Sequence, residues 1–379
     1  MKTEQFIWTD SAGWDPTAPG GLGNAAHLVI IFCDASMHPP ISRLNEIADL
    51  YPNAKILGCS SSGEIIGGQV LDHSLVLTAI SFEHTRVMEH SVRLSDVQSS
   101  YEAGERLARS LDPQGLVHAF VLGDGFQGSG DPFVQGIAKH LPSNVTVTGG
   151  LAGTRANFTD SFCISNGYAE AKSASIIGLY GDRLSVGYAA LSGWRPFGPH
   201  RLVTKSSGRE LFEIDGRSAL QLYRDYLDEH APGLPQTALR FPLEVRREDE
   251  ESGVVRAILS VDDERQSMTL AGEVPVGYYA RLMMGSHDAI IDGAAGAAYS
   301  SYTGIGPGGA ELALITSCVA RKFALRQRTE EEIEAVRDVY GADTCIAGFY
   351  SYGEIGPRTK TSECRLHNQT MTVTAFREE

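Results

Sequence analysis

The 379-residue sequence contains no apolar run near the ~20 residues that a membrane-spanning helix requires, so no such helix is expected. Its first residues, with Glu4, Trp8 and Asp10, lack the apolar stretch of a signal peptide, and the expected location is the cytoplasm. The six cysteines, at 33, 59, 163, 318, 345 and 364, form no CxxC pair, which argues against a disulfide framework or a zinc ribbon. Metal ligation has no support at ligand spacing. The chain is also poor in positive charge, with 32 basic against 47 acidic side chains and a formal net charge of −15. No cluster of Lys and Arg offers a footprint for phosphates, so nucleic acid is not an expected partner.

What the sequence does contain is a repeated phrase. Gly58-Cys59-Ser60-Ser61-Ser62-Gly63-Glu64-Ile65 returns about 290 residues later as Gly348-Phe349-Tyr350-Ser351-Tyr352-Gly353-Glu354-Ile355. The flanks repeat as well: an apolar run precedes each copy (Leu28 to Phe32, Leu312 to Thr316), followed by a helical pattern (Ile41 to Tyr51, Glu330 to Tyr340). An alternating strand follows each motif, at Leu75 to Ile80 and at Met371 to Phe376. Element order alone suggests a third copy between them, with Val117 to Leu122, Asp131 to Leu141 and Val145 to Thr148 leading to Gly149-Gly150-Leu151-Ala152-Gly153, then Ala174 to Tyr180. Internal duplication follows.

The expected fold class is α/β, with two lobes related by this duplication and mixed β-sheets flanked by helices. At this length two domains are expected, residues 27–200 and 201–379, after an irregular lead-in at 1–26 rich in Gly and Pro. Beyond the Pro-rich turn Gly193 to Pro199, strands are expected around 203–206, 210–216, 254–260 and 267–272. Helices are expected over Arg217 to Leu227 and over the small-residue stretch Ser286 to Tyr299.

These elements resemble the FIST family (F-box and intracellular signal transduction proteins), with both an N-terminal and a C-terminal FIST region, over roughly residues 27 to 376. The resemblance rests on Gly58 to Glu64, Gly149 to Gly153, Gly193 to Gly198, Glu213 to Ala219, Val276 to Met283, Ser317 to Arg321 and Gly348 to Ile355. It implies a stand-alone sensory protein that binds a small ligand and passes its state to a partner. A bacterial subset is similar to the nitric-oxide-sensing haem proteins called NosP, which implies non-covalent haem b as cofactor and a histidine kinase or a cyclic-di-GMP enzyme as partner. A sensor of an amino acid or similar metabolite, and an enzyme of unknown reaction, are the alternatives.

The residues themselves offer two readings of the glycine motifs. Ser61, Ser62, Tyr350, Ser351 and Tyr352 carry hydroxyls and Glu64 and Glu354 carboxylates for a ligand, with Arg321 as a further polar anchor. The alternative is a tight turn in which each Glu caps backbone amides. Nothing in the spacing shows the two Glu facing one another as a glycosidase pair would, and no Gly-x-Ser-x-Gly elbow surrounds Ser61. Cys318 lies three residues before Arg321, whose charge would favour a reactive thiolate; Cys33 occupies the matching place in the first copy. With no CxxCH motif, any haem would be held by an imidazole or thiolate; His367 and His73 are the best-placed axial candidates, and His287 is a further one. Asn157, Asp160 and Asn166 could line a polar pocket.

Overall fold

The computed structural model describes residues 1–16, 18–37, 41–124, 130–155, 160–359 and 362–379, and Asn157 lies outside them. The repeated unit occurs three times. Each copy opens with an almost wholly buried strand, at Leu28–Asp34, Leu116–Gly123 and Leu312–Cys318. A helix then crosses over (Ile41–Leu50, Gly130–His140, Thr329–Tyr340) to a parallel neighbour at Lys55–Ser61, Thr146–Leu151 and Cys345–Ser351. Near-continuous Val, Ile and Leu suits strands covered on both faces, which is why these runs do not alternate. A hairpin follows, over 64–71, 163–170 and 353–367, and a last strand returns antiparallel beside the first at Leu75–Ser81, Ser173–Tyr180 and Met371–Glu378.

The hairpins are exchanged in a ring. The first copy's hairpin pairs with Cys345–Ser351 of the third, the second's with Lys55–Ser61 of the first, and the third's with Thr146–Leu151 of the second. Each of the three resulting sheets is completed at its other side by a strand that precedes its copy: Lys2–Thr9, Arg86–Arg93 and Leu184–Leu191. The mixed α/β class holds, and the two-domain layout fits the order of the chain, but the copies interlock across the sheets. The lead-in also differs from expectation: residues 2–9 form a strand whose partner is Leu75–Ser81, and Phe6 and Trp8 are buried against that sheet.

One hydrophobic core draws on all three copies, with Phe32, Phe120, Leu122, Leu314, Phe349 and Phe376 among its members, and the Phe32 and Phe349 rings stack with centroids 4.5 Å apart. Between Leu184–Leu191 and the long helix His287–Ile305, residues 192–285 form a separate nine-stranded sheet packed on the helix Ala219–Leu227. That helix starts at Ser218, whose hydroxyl accepts from Gln221 N.

Candidate functional site

The three glycine motifs meet. Ser62 N donates to Tyr350 O at 2.9 Å, Gly153 N to Ser60 O at 3.0 Å and Tyr352 N to Leu151 O at 3.1 Å, so each copy bonds the next and the cycle closes. The first glycine of each motif permits a close approach to the parallel neighbour. A Cβ there would lie 2.2 Å from Ile31 O at Gly58, 1.8 Å from Val121 O at Gly149 and 2.3 Å from Ile315 O at Gly348. Gly153 brings the turns together, since a Cβ on it would meet Ser62 Oγ at 2.6 Å and Tyr350 O at 2.9 Å. Ser62 Oγ donates to Thr154 O at 2.8 Å, as does Tyr352 Oη, also at 2.8 Å.

Beneath this ring each Glu sits in a cradle of hydroxyls. Ser351 Oγ lies 2.7 Å from Glu354 Oε1, and Thr370 donates to Glu354 Oε2 from its N at 3.1 Å and its Oγ1 at 2.8 Å. Glu64 bonds Ser61 Oγ and, at 2.7 Å, Ser74 Oγ. Both side chains are fully buried, and desolvation pushes Glu64 up to about 8 and Glu354 up to about 7 despite the hydroxyl bonds that oppose it. In the second copy, sheet register puts Cys163 opposite Cys59 as Glu64 stands opposite Phe349, so a thiol replaces the carboxyl there. Glu64, Glu354, Ser61 and Ser351 therefore pin strands from within, and none of the four faces solvent.

Arg321, proposed from sequence as an anchor, is also fully buried. Its guanidinium donates to Glu332 Oε2 at 2.9 Å, Ser192 O at 2.6 Å and Ile290 O at 2.8 Å. Glu332 also accepts from Tyr350 Oη at 2.6 Å and Ser317 Oγ at 3.2 Å. These donors are spent inside the protein. Cys318 is buried, and desolvation with the nearby Glu354 drives its thiol well above the ordinary range; the opposing pull of Arg321 is a smaller effect. That is the reverse of an activated thiolate. Register also corrects its counterpart: Cys318 pairs with Ser351 and Asp34 with Ser61, so Asp34, not Cys33, occupies the matching place.

What faces outward is a mixed-charge cluster at the ends of the first copy's parallel strands. Lys322 Nζ donates to Ser62 O at 2.9 Å and Asp72 Oδ1 at 2.6 Å, and lies 5.3 Å from the centre of the Tyr350 ring. Arg155 stands 3.7 Å from both Asp34 Oδ2 and Asp72 Oδ1, with its side chain 35% exposed. Asp34 is buried, yet bonds from Ser36 and the charge of His73 outweigh desolvation and hold its carboxyl below the ordinary value. His73, in the left-handed region at φ 54°, places Nδ1 3.3 Å from Asp34 Oδ2. Sequence reasoning did not select Asp34, Asp72, Arg155, Lys322 or Glu332. The last had a signal, an acid on the helix face that carries Ile333, Val336 and Tyr340.

Haem does not suit the three axial candidates. His73 is 69% exposed and occupied by Asp34. His287 opens a helix beside the cap Ser286, at a half-buried surface position. His367 is buried and donates from Nε2 to Gly356 O at 2.8 Å; the cleft it lines carries Arg247, Glu250, Arg358, Glu363 and Arg365, not the apolar walls a porphyrin face requires. Among the described residues no group of three or more His, Cys, Asp or Glu could hold a metal ion, and no helix is long and apolar enough to cross a membrane.

Residues 27–217 match the FIST N domain and residues 219–357 the FIST C domain. An uncharacterized protein of Methanocaldococcus jannaschii is 25% identical over 211 residues, which is 52% of this chain and 40% of that protein. Among solved structures, a chorismatase aligns over 99% of this chain and 98% of its own at 8% identity with a TM-score of 0.35. A cyanuric acid hydrolase from A. caulinodans aligns over 78% and 99% at 10% identity with a TM-score of 0.18.

Proposed function

The chain belongs to the FIST family, whose domains are associated with signal-transduction sensing of small ligands, and we propose that its own ligand is a free amino acid or a similar zwitterion held over the ring of glycine motifs. The observation that carries this reading is the juxtaposition of two cations and two carboxylates at one spot that reaches solvent through Arg155 and Asp72: Arg155 and Lys322 with Asp72 and the buried Asp34 behind them. An α-amino acid presents both signs within a few bonds. Arg155 and Lys322 would take its carboxylate, and Asp72 its ammonium. The ring beneath makes a rigid floor, because Ser62 and Tyr352 are tied to Thr154.

The resemblance that suggested haem and nitric oxide also suggested the receiver, a histidine kinase or a cyclic-di-GMP enzyme in the cytoplasm. Haem itself finds no suitable axial face at His367, His73 or His287, so the zwitterion is the preferred ligand.

Thermal unfolding in the presence of each of the common L-amino acids tests the reading. A ligand at about a hundred times its Kd stabilises the native state by about 2.7 kcal/mol, a readily measured rise in Tm. The expected result is a rise with one amino acid or a small chemical group of them, lost in R155Q and in K322M. Absence of any rise, or a rise unchanged in both variants, overturns it. A Soret band that appears on adding hemin and shifts with nitric oxide would restore the haem reading in its place.

A further inference from the structure

The inserted sheet and the ring of repeats leave a cleft between them. On one side stand Val245 of one strand, Arg247 just past its end, and Ser252 to Arg256 leading into and along its partner; on the other stands the segment 363–367 that ends the third copy's hairpin. Two adjoining hollows, of about 320 Å³ and about 250 Å³, share the walls Arg247, Val254, Glu363 and Arg365. Small-molecule sites fall in the range of about 300–1,000 Å³ and favour such junctions.

The cleft's polar groups divide into the paired and the unpaired. Glu250 takes Arg365 and, at 3.0 Å, Arg247; Glu363 lies 3.3 Å from Arg365 and 3.8 Å from Arg247; and Asp131 takes Arg256. Arg358 differs, because it bonds the Gly253 carbonyl at 3.1 Å and has no carboxylate partner among the described residues. His367, 2% exposed, lines the same cleft. Its Nε2 must carry the hydrogen, since the Gly356 carbonyl it meets can only accept. The ring is neutral, as burial lowers it to about 3, so Nδ1 is a bare acceptor with no protein partner among the described residues.

We propose that this cleft is a second binding site, for a small monocarboxylic α-hydroxy acid, with Arg358 on the carboxylate and His367 Nδ1 accepting from the adjacent hydroxyl. A neutral acceptor beside a guanidinium that has no carboxylate partner among the described residues matches an O–H next to a carboxylate. A hydroxyl suits it better than an ammonium, because Glu250 and Glu363 are already committed to arginines and the remaining acid of this hollow, Glu251, stands exposed at its rim. A second carboxylate on the ligand would meet those same two acids. A molecule so placed touches both the inserted sheet, through Gly253 and its neighbours, and the ring, through His367, and so bridges the two bodies.

Calorimetric titration of the full chain with L-lactate and with glycolate provides the test, alongside the nitrogen resonances of ¹⁵N-histidine-labelled protein. Saturable binding is expected, with a shift of one buried histidine Nδ1. R358Q should weaken it by about tenfold or more, the loss of a charge-assisted hydrogen bond, while K322M, at the other site, leaves it unchanged. No saturable binding of either acid, equal binding by R358Q, or loss of binding in K322M would overturn the proposal. Amino-acid binding that persists while both hydroxy acids fail overturns this site alone and leaves the ring site standing.

Discussion

Glu354→Gln should remove a pH dependence from the protein's stability without loosening the fold. The buried carboxyl has an ordinary value of 4.5 and is raised to about 7 by desolvation, so the folded state holds its proton more tightly than the unfolded chain does. Its contribution to stability is therefore fully present below pH 4.5 and is lost as pH rises towards 7. At 1.36 kcal/mol per pH unit this loss amounts to about 3 kcal/mol. The geometry fits the neutral form. Ser351 Oγ lies 3.2 Å from Ser317 O and can spend its hydrogen there, leaving it free to accept from a protonated Glu354 Oε1 at 2.7 Å, while Thr370 donates twice to Oε2. A glutamine amide reproduces that pattern, with its NH₂ on Ser351 Oγ and its oxygen on Thr370. Urea unfolding of both proteins, followed from pH 4.5 to 8, is the assay. The gap between them should widen by about 3 kcal/mol in the variant's favour as pH rises; Glu64 contributes alike to both and cancels. Parallel curves would refute the claim that Glu354 is carried neutral in the fold.

Arg321→Met should cost about 3–5 kcal/mol because it strands Glu332 as a buried charge, and adding Glu332→Gln should recover part of the loss; an unchanged urea midpoint would contradict the pairing. Gly149→Ala puts a Cβ 1.8 Å from Val121 O at a φ of 145°, and a loss of about 3 kcal/mol or more is expected, read as a fall in Tm; a Tm within a degree of wild type would mean the strands are not so close. Cys318 should resist iodoacetamide at pH 8 in the native protein, since its thiol is buried and raised; peptide mapping that finds it alkylated ahead of the less buried Cys345 and Cys364 would overturn this.

The repeated motif made much of the fold legible, including the second copy in chain order, whose strands and helix fall where element order placed them. Legibility stopped at pairing. The short segments 64–71, 163–170 and 353–367 carry no signal that says which sheet they join, because a strand of three or four residues pairs equally well with any free edge of suitable register. The motif serines and glutamates were found by repetition, but repetition cannot tell a ligand contact from an internal bond. Burial decided it, and burial followed from the exchange of hairpins. Arg155, Lys322 and Asp72 escaped notice because they belong to three different copies with nothing in their spacing to link them, and only the closed ring brings Arg155 and Lys322 within 4 Å of Asp72.

The exchange also explains why the copies could diverge so far. At the places equivalent by register, the first and third copies carry Glu64 and Glu354 and the second Cys163; the strand ends carry Asp34 and Cys318; the residues before the returning strands are His73, Lys172 and Gln369, each with φ between 53° and 54°. Backbone geometry is kept at all three while side-chain chemistry is not. Closure of the ring depends on main-chain bonds and on glycines that admit a neighbouring carbonyl, so it constrains φ and volume rather than charge. The third copy's turn is then free to be buried, with Trp194 of the inserted segment donating to Gln369 O at 3.0 Å, while the first copy's turn keeps its charges in solvent. One turn can thus stay open to solvent while another holds the inserted sheet, with no change in the fold that carries them.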